Sequence, residues 1–150
     1  MRGRAGGSQP RLGSWAQAAA GQTHAALAAI GAGELPVTVI HGDFAEWNVH
    51  YRHGRLAGVI DFGLAYLDSR PCELAVARTW RASEAIDAYR GELARNGWPL
   101  STLEEAAIGP LYHAFRLGMA ASELDAGLRT GDYDLAAIER QLSRTGTPPL

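Results

Sequence analysis

The chain has 150 residues, 47% hydrophobic and 20% charged; this globular composition argues against global disorder and allows one core-bearing domain. A formal net charge of -2 gives no electrostatic case for nucleic acid, and no apolar run approaches the roughly 20 residues needed to cross a bilayer. The lone cysteine, Cys72, cannot form an internal disulfide, and no apolar signal segment follows Met1, so the expectation is a soluble, cytoplasmic protein without a membrane partner.

Residues Met1 to Gly13 are rich in Gly and Arg, lack periodicity and read as a flexible tail. From Ser14, the residues Trp15, Ala18, Ala19, Ala26, Leu27 and Ile30 recur at helical spacing until Gly31 to Gly33 ends the pattern. Gly31-Ala32-Gly33 precedes no helix and lacks a third glycine, so it reads as a helix end and not as a dinucleotide fingerprint. Pro36 opens a strand, Val37 to Ile40, whose unbroken apolar run predicts burial on both faces. Two short strands, Val49 to Tyr51 and Leu56 to Ile60, flank the polar turn Arg52-His53-Gly54-Arg55. An irregular segment leads from Gly63 to Pro71. A helix is expected through Glu73, Leu74, Val76, Ala77 and Trp80, and another from Ser83 to about Asn96, stopped by Gly97. Ser101-Thr102-Leu103-Glu104 matches a capping box and starts a long helix, which Pro110 should kink or divide. Asp132 is the expected cap of a last helix carrying Leu135, Ile138 and Leu142, and Gly146 to Leu150 reads as a frayed end. The expected fold class is α+β, mostly helical, with a small buried hairpin surrounded by helices.

The chemistry sits in His41-Gly42-Asp43-Phe44-Ala45-Glu46-Trp47-Asn48 and in Ile60-Asp61-Phe62-Gly63. One short apolar strand delivers a histidine, a carboxylate and an amide into a loop, and the hairpin delivers a second carboxylate beside them. Phosphoryl transfer needs one carboxylate to orient and accept a proton from the attacking hydroxyl, plus oxygen ligands for a magnesium ion that bridges the nucleotide phosphates. Asp43 suits the first role. Asn48 and Asp61 suit the second, as hard oxygen donors for magnesium held partly by water and phosphate. All 14 basic residues are arginine, so whatever this chain does to ATP it does without the lysine that protein kinases and P-loop enzymes place on the phosphates.

Each of these residues also has a plainer reading. His41 could act as a general base, but a ring that hydrogen-bonds the loop backbone and holds Asp43 in place fits the context better. A zinc site from His41, His50 and His53 is disfavoured by alternating side-chain direction and the lack of a thiolate. Trp47 could wall a substrate pocket or pack under the loop. Asp68 and Glu73 could meet an amine-bearing substrate, although a carboxylate near a helix start also offsets orphan backbone donors. Cys72 has no activating neighbour and reads as a small buried side chain.

At these residues the sequence resembles the aminoglycoside phosphotransferase family, the small-molecule kinases that include choline and homoserine kinase relatives. The resemblance runs through His41 to Asn48, Gly58 to Gly63 and Glu73-Leu74-Ala75, where the family usually has Asp-Leu-Ala. It implies a protein-kinase-like C-terminal lobe over residues 14–146, with the hairpin at the catalytic loop. It also implies Asp43 as catalytic base, His41 as its support, and Asn48 and Asp61 as the magnesium ligands through which ATP, the phosphoryl donor, is held. Gly42 stands where protein kinases carry an arginine that pairs with a phosphorylated activation loop, and the segment after Asp61 is too short for such a loop. The implied acceptor is a hydroxyl of a small molecule.

The family's N-terminal lobe, with its phosphate-covering loop and lysine, has no counterpart in this sequence. Two expectations follow: an ATP- and magnesium-dependent phosphotransferase that is incomplete without that lobe, or a non-catalytic remnant or small-molecule-binding module that keeps the fold. Either would present an exposed apolar face, open to a second copy in a homodimer or to a separately supplied N-lobe.

Overall fold

The computed structural model describes residues 9–80 and 83–146. Five helices and four short strands follow one another as α1 (Gln9–Ala29), β1 (Val37–Ile40), β2 (Val49–Arg52), β3 (Arg55–Val59), β4 (Tyr66–Ser69), α2 (Arg70–Thr79), α3 (Ser83–Arg95), α4 (Thr102–Thr130) and α5 (Leu135–Ser143). This is the expected mostly helical α+β arrangement. Of the described residues, those between 27 and 112 form one compact unit; 9–26 and 113–146 form the other.

In the second of these units the core is Leu12, Trp15, Ala120, Ile138 and Leu142, with Leu117, Leu124 and Leu135 packed against it. Ile138 and Leu142 are fully sealed from solvent, and each such side chain contributes about 1.5–3 kcal/mol. Burial of Leu12 explains why α1 begins at Gln9 and not at Ser14: the apolar stripe extends one turn further back, and Pro10 lies in the first turn, where a missing N–H costs nothing. The rest of the expected tail, and the end from residue 147, lie outside the described residues. The cap of α5 is Asp134, whose carboxylate accepts the Ala137 N–H at 2.8 Å. Asp132 instead donates its N–H to the Thr130 hydroxyl, inside the turn made by Gly131 at φ 76°.

In the unit of residues 27–112, Leu74, Ala77, Ile86 and Ile108 form the core, joined by Phe44, Tyr89 and Leu100. The capping box at Ser101 forms in both directions: the Glu104 N–H donates to the Ser101 hydroxyl at 3.2 Å and the Ser101 N–H to Glu104 Oε2 at 2.8 Å. The helix it opens runs through Pro110 undivided. The ring removes one backbone bond, while Ala107 and Ile108, buried in the preceding turn, hold the helix in place.

The strands correct three expectations: the irregular segment before α2, the burial of β1 on both faces, and the burial of the hairpin. Tyr66–Ser69, read as irregular, is a strand that pairs antiparallel with β1, Val39 opposite Leu67 and Ile40 opposite Tyr66. Nothing local in the segment announces this pairing, because the partner lies beyond the intervening loop and hairpin. The ribbon is two-stranded, so the apolar run of β1 is not buried on both faces: Val37, Val39 and Leu67 are 68–69% exposed on one side of it. The β2–β3 hairpin is also a surface feature, with Tyr51 exposed. Its turn has positive φ at both central residues, His53 and Gly54 (51° and 72°), the type I′ geometry that matches strand twist.

Candidate active site

The loop between β1 and β2 is held from below by three groups. Gly42 sits at φ 79°, and a Cβ there would overlap the Leu64 carbonyl oxygen and lie 3.0 Å from the Tyr66 ring. Only glycine allows both the left-handed backbone and that approach. His41 is buried; its Nδ1 accepts the Asp43 N–H at 3.3 Å, which leaves Nε2 to carry the proton and donate to the Ile60 carbonyl at 2.8 Å. The ring also packs against Phe62, with centroids 4.6 Å apart. His41 therefore ties the loop after β1 to the segment that carries Asp61.

The third group is Glu73. It is 8% exposed, and its Oε2 accepts the backbone N–H groups of His41 and, at 3.4 Å, of Gly42. The sequence offered two roles for this residue, an amine contact or a helix-start carboxylate; the structure turns it toward the loop after β1, not toward the orphan N–H groups of α2. Burial pushes its carboxyl above the ordinary value, and the N–H groups of His41, Gly42 and Phe44 only partly offset this. The one signal available in the sequence was a lone carboxylate entering the run Leu74 to Ala77, which is buried throughout.

Above these supports, Asn48 donates Nδ2 to both the carbonyl and the Oδ2 of Asp43, each at 2.9 Å. The amide nitrogen is thereby spent, and Oδ1 is the atom left for a cation. The 3-10 turn Glu46–Asn48 places this amide, and the Ile60 N–H donates to the Asn48 carbonyl at 3.0 Å. Asp61 follows directly, exposed and in the left-handed region (φ 61°, ψ 63°), a conformation costing on the order of 1 kcal/mol for a non-glycine residue. Asn48 and Asp61 thus stand at adjoining strand ends, one amide oxygen and one carboxylate. Among the described residues no group of three His, Cys, Asp or Glu side chains forms a metal cage; His50 lies on β2 and His53 in the turn.

Trp47 lies half-exposed at the site's edge, its indole N–H 3.4 Å from Asp43 Oδ2 and its ring edge-on to Trp80 at 4.5 Å. Asp68 is on β4 opposite Thr38, where its Oδ1 accepts the Ser69 N–H at 2.7 Å; no hydrogen bond brings it to Asp43. Cys72 is partly exposed, not buried, and lies 3.5 Å from the Ser69 hydroxyl. Desolvation by burial is the main cause lifting its thiol pKa to about 11. Sequence reading passed over Arg70, which grips the Glu104 carboxylate through Nε and Nη2, both at 2.8 Å, and the Trp98 carbonyl at 2.9 Å.

A sequence model described as the phosphotransferase enzyme family matches residues 1–108. A homoserine kinase of Phenylobacterium zucineum (strain HLK1) is 34% identical over 128 residues, an alignment covering 77% of this chain and 40% of the relative. The chain therefore spans less than half the length of that curated protein. No solved structure gives a significant match. Among the described residues no helix is long and apolar enough to cross a membrane.

Proposed function

We propose that this chain, which belongs to the phosphotransferase enzyme family, is the acceptor- and metal-holding part of an ATP- and magnesium-dependent kinase acting on the hydroxyl of a small molecule. The observation that supports this reading is the pairing of Asn48 with Asp43: Nδ2 is committed at 2.9 Å, which leaves Oδ1 as the amide atom able to hold a metal ion, on a residue whose backbone bonds the one before Asp61. Amide and carboxylate oxygens suit magnesium, which takes only one or two protein ligands and leaves its other positions to water and phosphate. When bound there, magnesium supplies charge neutralisation on the transferring phosphoryl group.

Asp43 orients the acceptor hydroxyl and takes its proton as the oxygen attacks the γ-phosphorus in line, with ADP as leaving group. Asn48 and Trp47 both donate to the Asp43 carboxylate, and both hold it in place. His41 acts through Asp43, as a positioning residue. The matched relative is a homoserine kinase, so homoserine is the first acceptor to test. The grip on the nucleotide from the other side comes from a polypeptide segment with its own lysine or arginine, seated on the apolar face formed by Val37, Val39 and Leu67.

Calorimetry with magnesium and ATP tests the reading. The chain is expected to bind magnesium-ATP weakly and to lose that binding in Asp61→Ala. With homoserine as acceptor, Asp43→Asn is expected to abolish any phosphotransfer while leaving nucleotide binding in place. Binding that is absent, or indifferent to Asp61→Ala, overturns the reading in favour of a non-catalytic module that retains the fold.

A further inference from the structure

The β2–β3 hairpin carries a charge pattern that phosphotransfer does not use. From Val49 to Ile60 the sequence holds two arginines and no Asp or Glu, in a chain whose formal net charge is -2. Arg52 and Arg55 stand directly opposite each other in the last antiparallel pair before the turn, so both side chains leave the same face of the ribbon. Both are exposed. Like charges in that position repel and weaken the hairpin. Elsewhere Arg70, Arg90, Arg95, Arg129 and Arg140 each lie 2.5–3.8 Å from a carboxylate oxygen. Among the described residues, Arg52 and Arg55 have neither an ion pair nor a hydrogen bond.

The ground beside the pair is open. His50 lies one pleat back on the same face, and the residue opposite it is Gly58, where an added Cβ would meet nothing within 4 Å. Two guanidinium forks side by side suit a phosphate group, whose several oxygens can serve both forks; a carboxylate has oxygens for only one. A phosphomonoester also carries close to two negative charges at neutral pH, equal to the charge of the arginine pair. We propose that the hairpin tip binds a small phosphomonoester dianion between Arg52 and Arg55, with His50 at its edge. The bound anion relieves the repulsion across the pair. At about 3.3 Å per residue, the strand from Asn48 to Arg52 spans roughly 13 Å, so this site is distinct from the Asn48–Asp61 pair.

The test is a 15N NMR titration of the chain at pH 7.5 and constant ionic strength with methyl phosphate, a dianion, and with dimethyl phosphate, the singly charged diester. Neither nucleotide nor magnesium is present, so the result is independent of the phosphotransfer reading. Methyl phosphate should give saturable shifts at the Gly54 amide and at the Nε–H groups of Arg52 and Arg55, and should bind about tenfold more tightly than the diester. Arg55→Gln should weaken methyl phosphate about tenfold without lowering the melting temperature, because it also removes the like-charge repulsion. Arg52→Lys, which keeps the charge and loses the fork, should weaken it as well. Arg95→Gln, the same loss of charge at an arginine already paired with Glu92, should leave the affinity unchanged. Shifts that do not saturate, equal affinities for the two phosphates, or an Arg55→Gln effect no larger than that of Arg95→Gln would each overturn the proposal. Failure of methyl phosphate to saturate while the chain sediments with phosphatidic acid vesicles would overturn it in favour of a membrane surface.

Discussion

Replacing Glu73 by glutamine and by alanine should have very different consequences, because the residue does two opposite things to stability. Its oxygen accepts the buried His41 N–H, and removing it in Glu73→Ala orphans that donor at about 1–3 kcal/mol and strips roughly another 1 kcal/mol of buried methylene. The Gly42 bond, long at 3.4 Å, adds little. The expected loss is therefore about 2–4 kcal/mol. Glutamine keeps an acceptor oxygen and removes the charge. Since burial raises the folded-state pKa of Glu73 above the ordinary carboxyl value of 4.5, the native state binds the proton more tightly than the unfolded chain. The sign follows: this group's contribution is fully present below the unfolded pKa and is lost as pH rises through the folded pKa. Glu73→Gln has no such titration. Its stability relative to wild type should improve between about pH 4.5 and pH 7 and lie within about 1 kcal/mol of wild type at neutrality. Urea unfolding of the three proteins at both pH values measures this directly. If alanine and glutamine cost the same, or if glutamine grows relatively worse with rising pH, Glu73 does not hold the loop in the way the geometry implies.

Four further outcomes follow from individual residues. Gly42→Ala should be among the most damaging single-methyl additions in the chain, costing about 3 kcal/mol or more by thermal unfolding, because the left-handed backbone and the Leu64 carbonyl both oppose a Cβ. Asp61→Gly should abolish magnesium-ATP binding in calorimetry yet leave the melting temperature unchanged or higher, since it relieves roughly 1 kcal/mol of left-handed strain. Arg70→Met should destabilise by about 3–5 kcal/mol in urea titrations by stranding Glu104, which is 1% exposed. Burial alone would raise the Glu104 carboxyl, but Arg70 and Ser101 hold it below its usual value, so this pair's contribution is present above about pH 4.5 and fades as pH falls through the lowered folded pKa. Cys72, lifted to about 11, should react with a disulfide reagent at pH 7.4 about a hundredfold more slowly than an unperturbed thiol, in proportion to its thiolate fraction.

What could be read from the sequence was what local spacing encodes. The motif from His41 to Asn48, the hairpin turn at His53-Gly54 and the capping box at Ser101 each depend on residues within a few positions of one another, and the structure places all three where the sequence did. What could not be read depends on distant partners. β4 is a strand only because β1 lies beside it. Glu73 and His41 are 32 positions apart, Arg70 and Glu104 34, and neither pairing leaves a periodic trace. The exposure of Val37 and Val39 was invisible for the same reason: an apolar strand reads as buried until the number of its neighbours is known. Gly42 was legible only as the absence of an arginine. Its positive φ and its contact with Leu64 show that the loop needs glycine for its own sake.

The arrangement of burial around the site explains how so short a segment can keep a demanding geometry. The residues that support the loop, His41 and Glu73, are buried, as is Asn48, whose nitrogen is locked to Asp43; Asp61 is exposed. Two contacts, His41 Nε2 to the Ile60 carbonyl at 2.8 Å and the Ile60 N–H to the Asn48 carbonyl at 3.0 Å, join the catalytic loop to the Asp61 strand on either side of a single residue. A shift of either loop would break both bonds together. Asn48 and Asp61 are therefore set relative to each other by protein contacts, and under the proposed function this is the preorganisation that electrostatic catalysis requires. The left-handed strain at Asp61 is sustained by the same contacts. Under the proposed function, a segment gripping the nucleotide would have only to bring the phosphates to a site already formed.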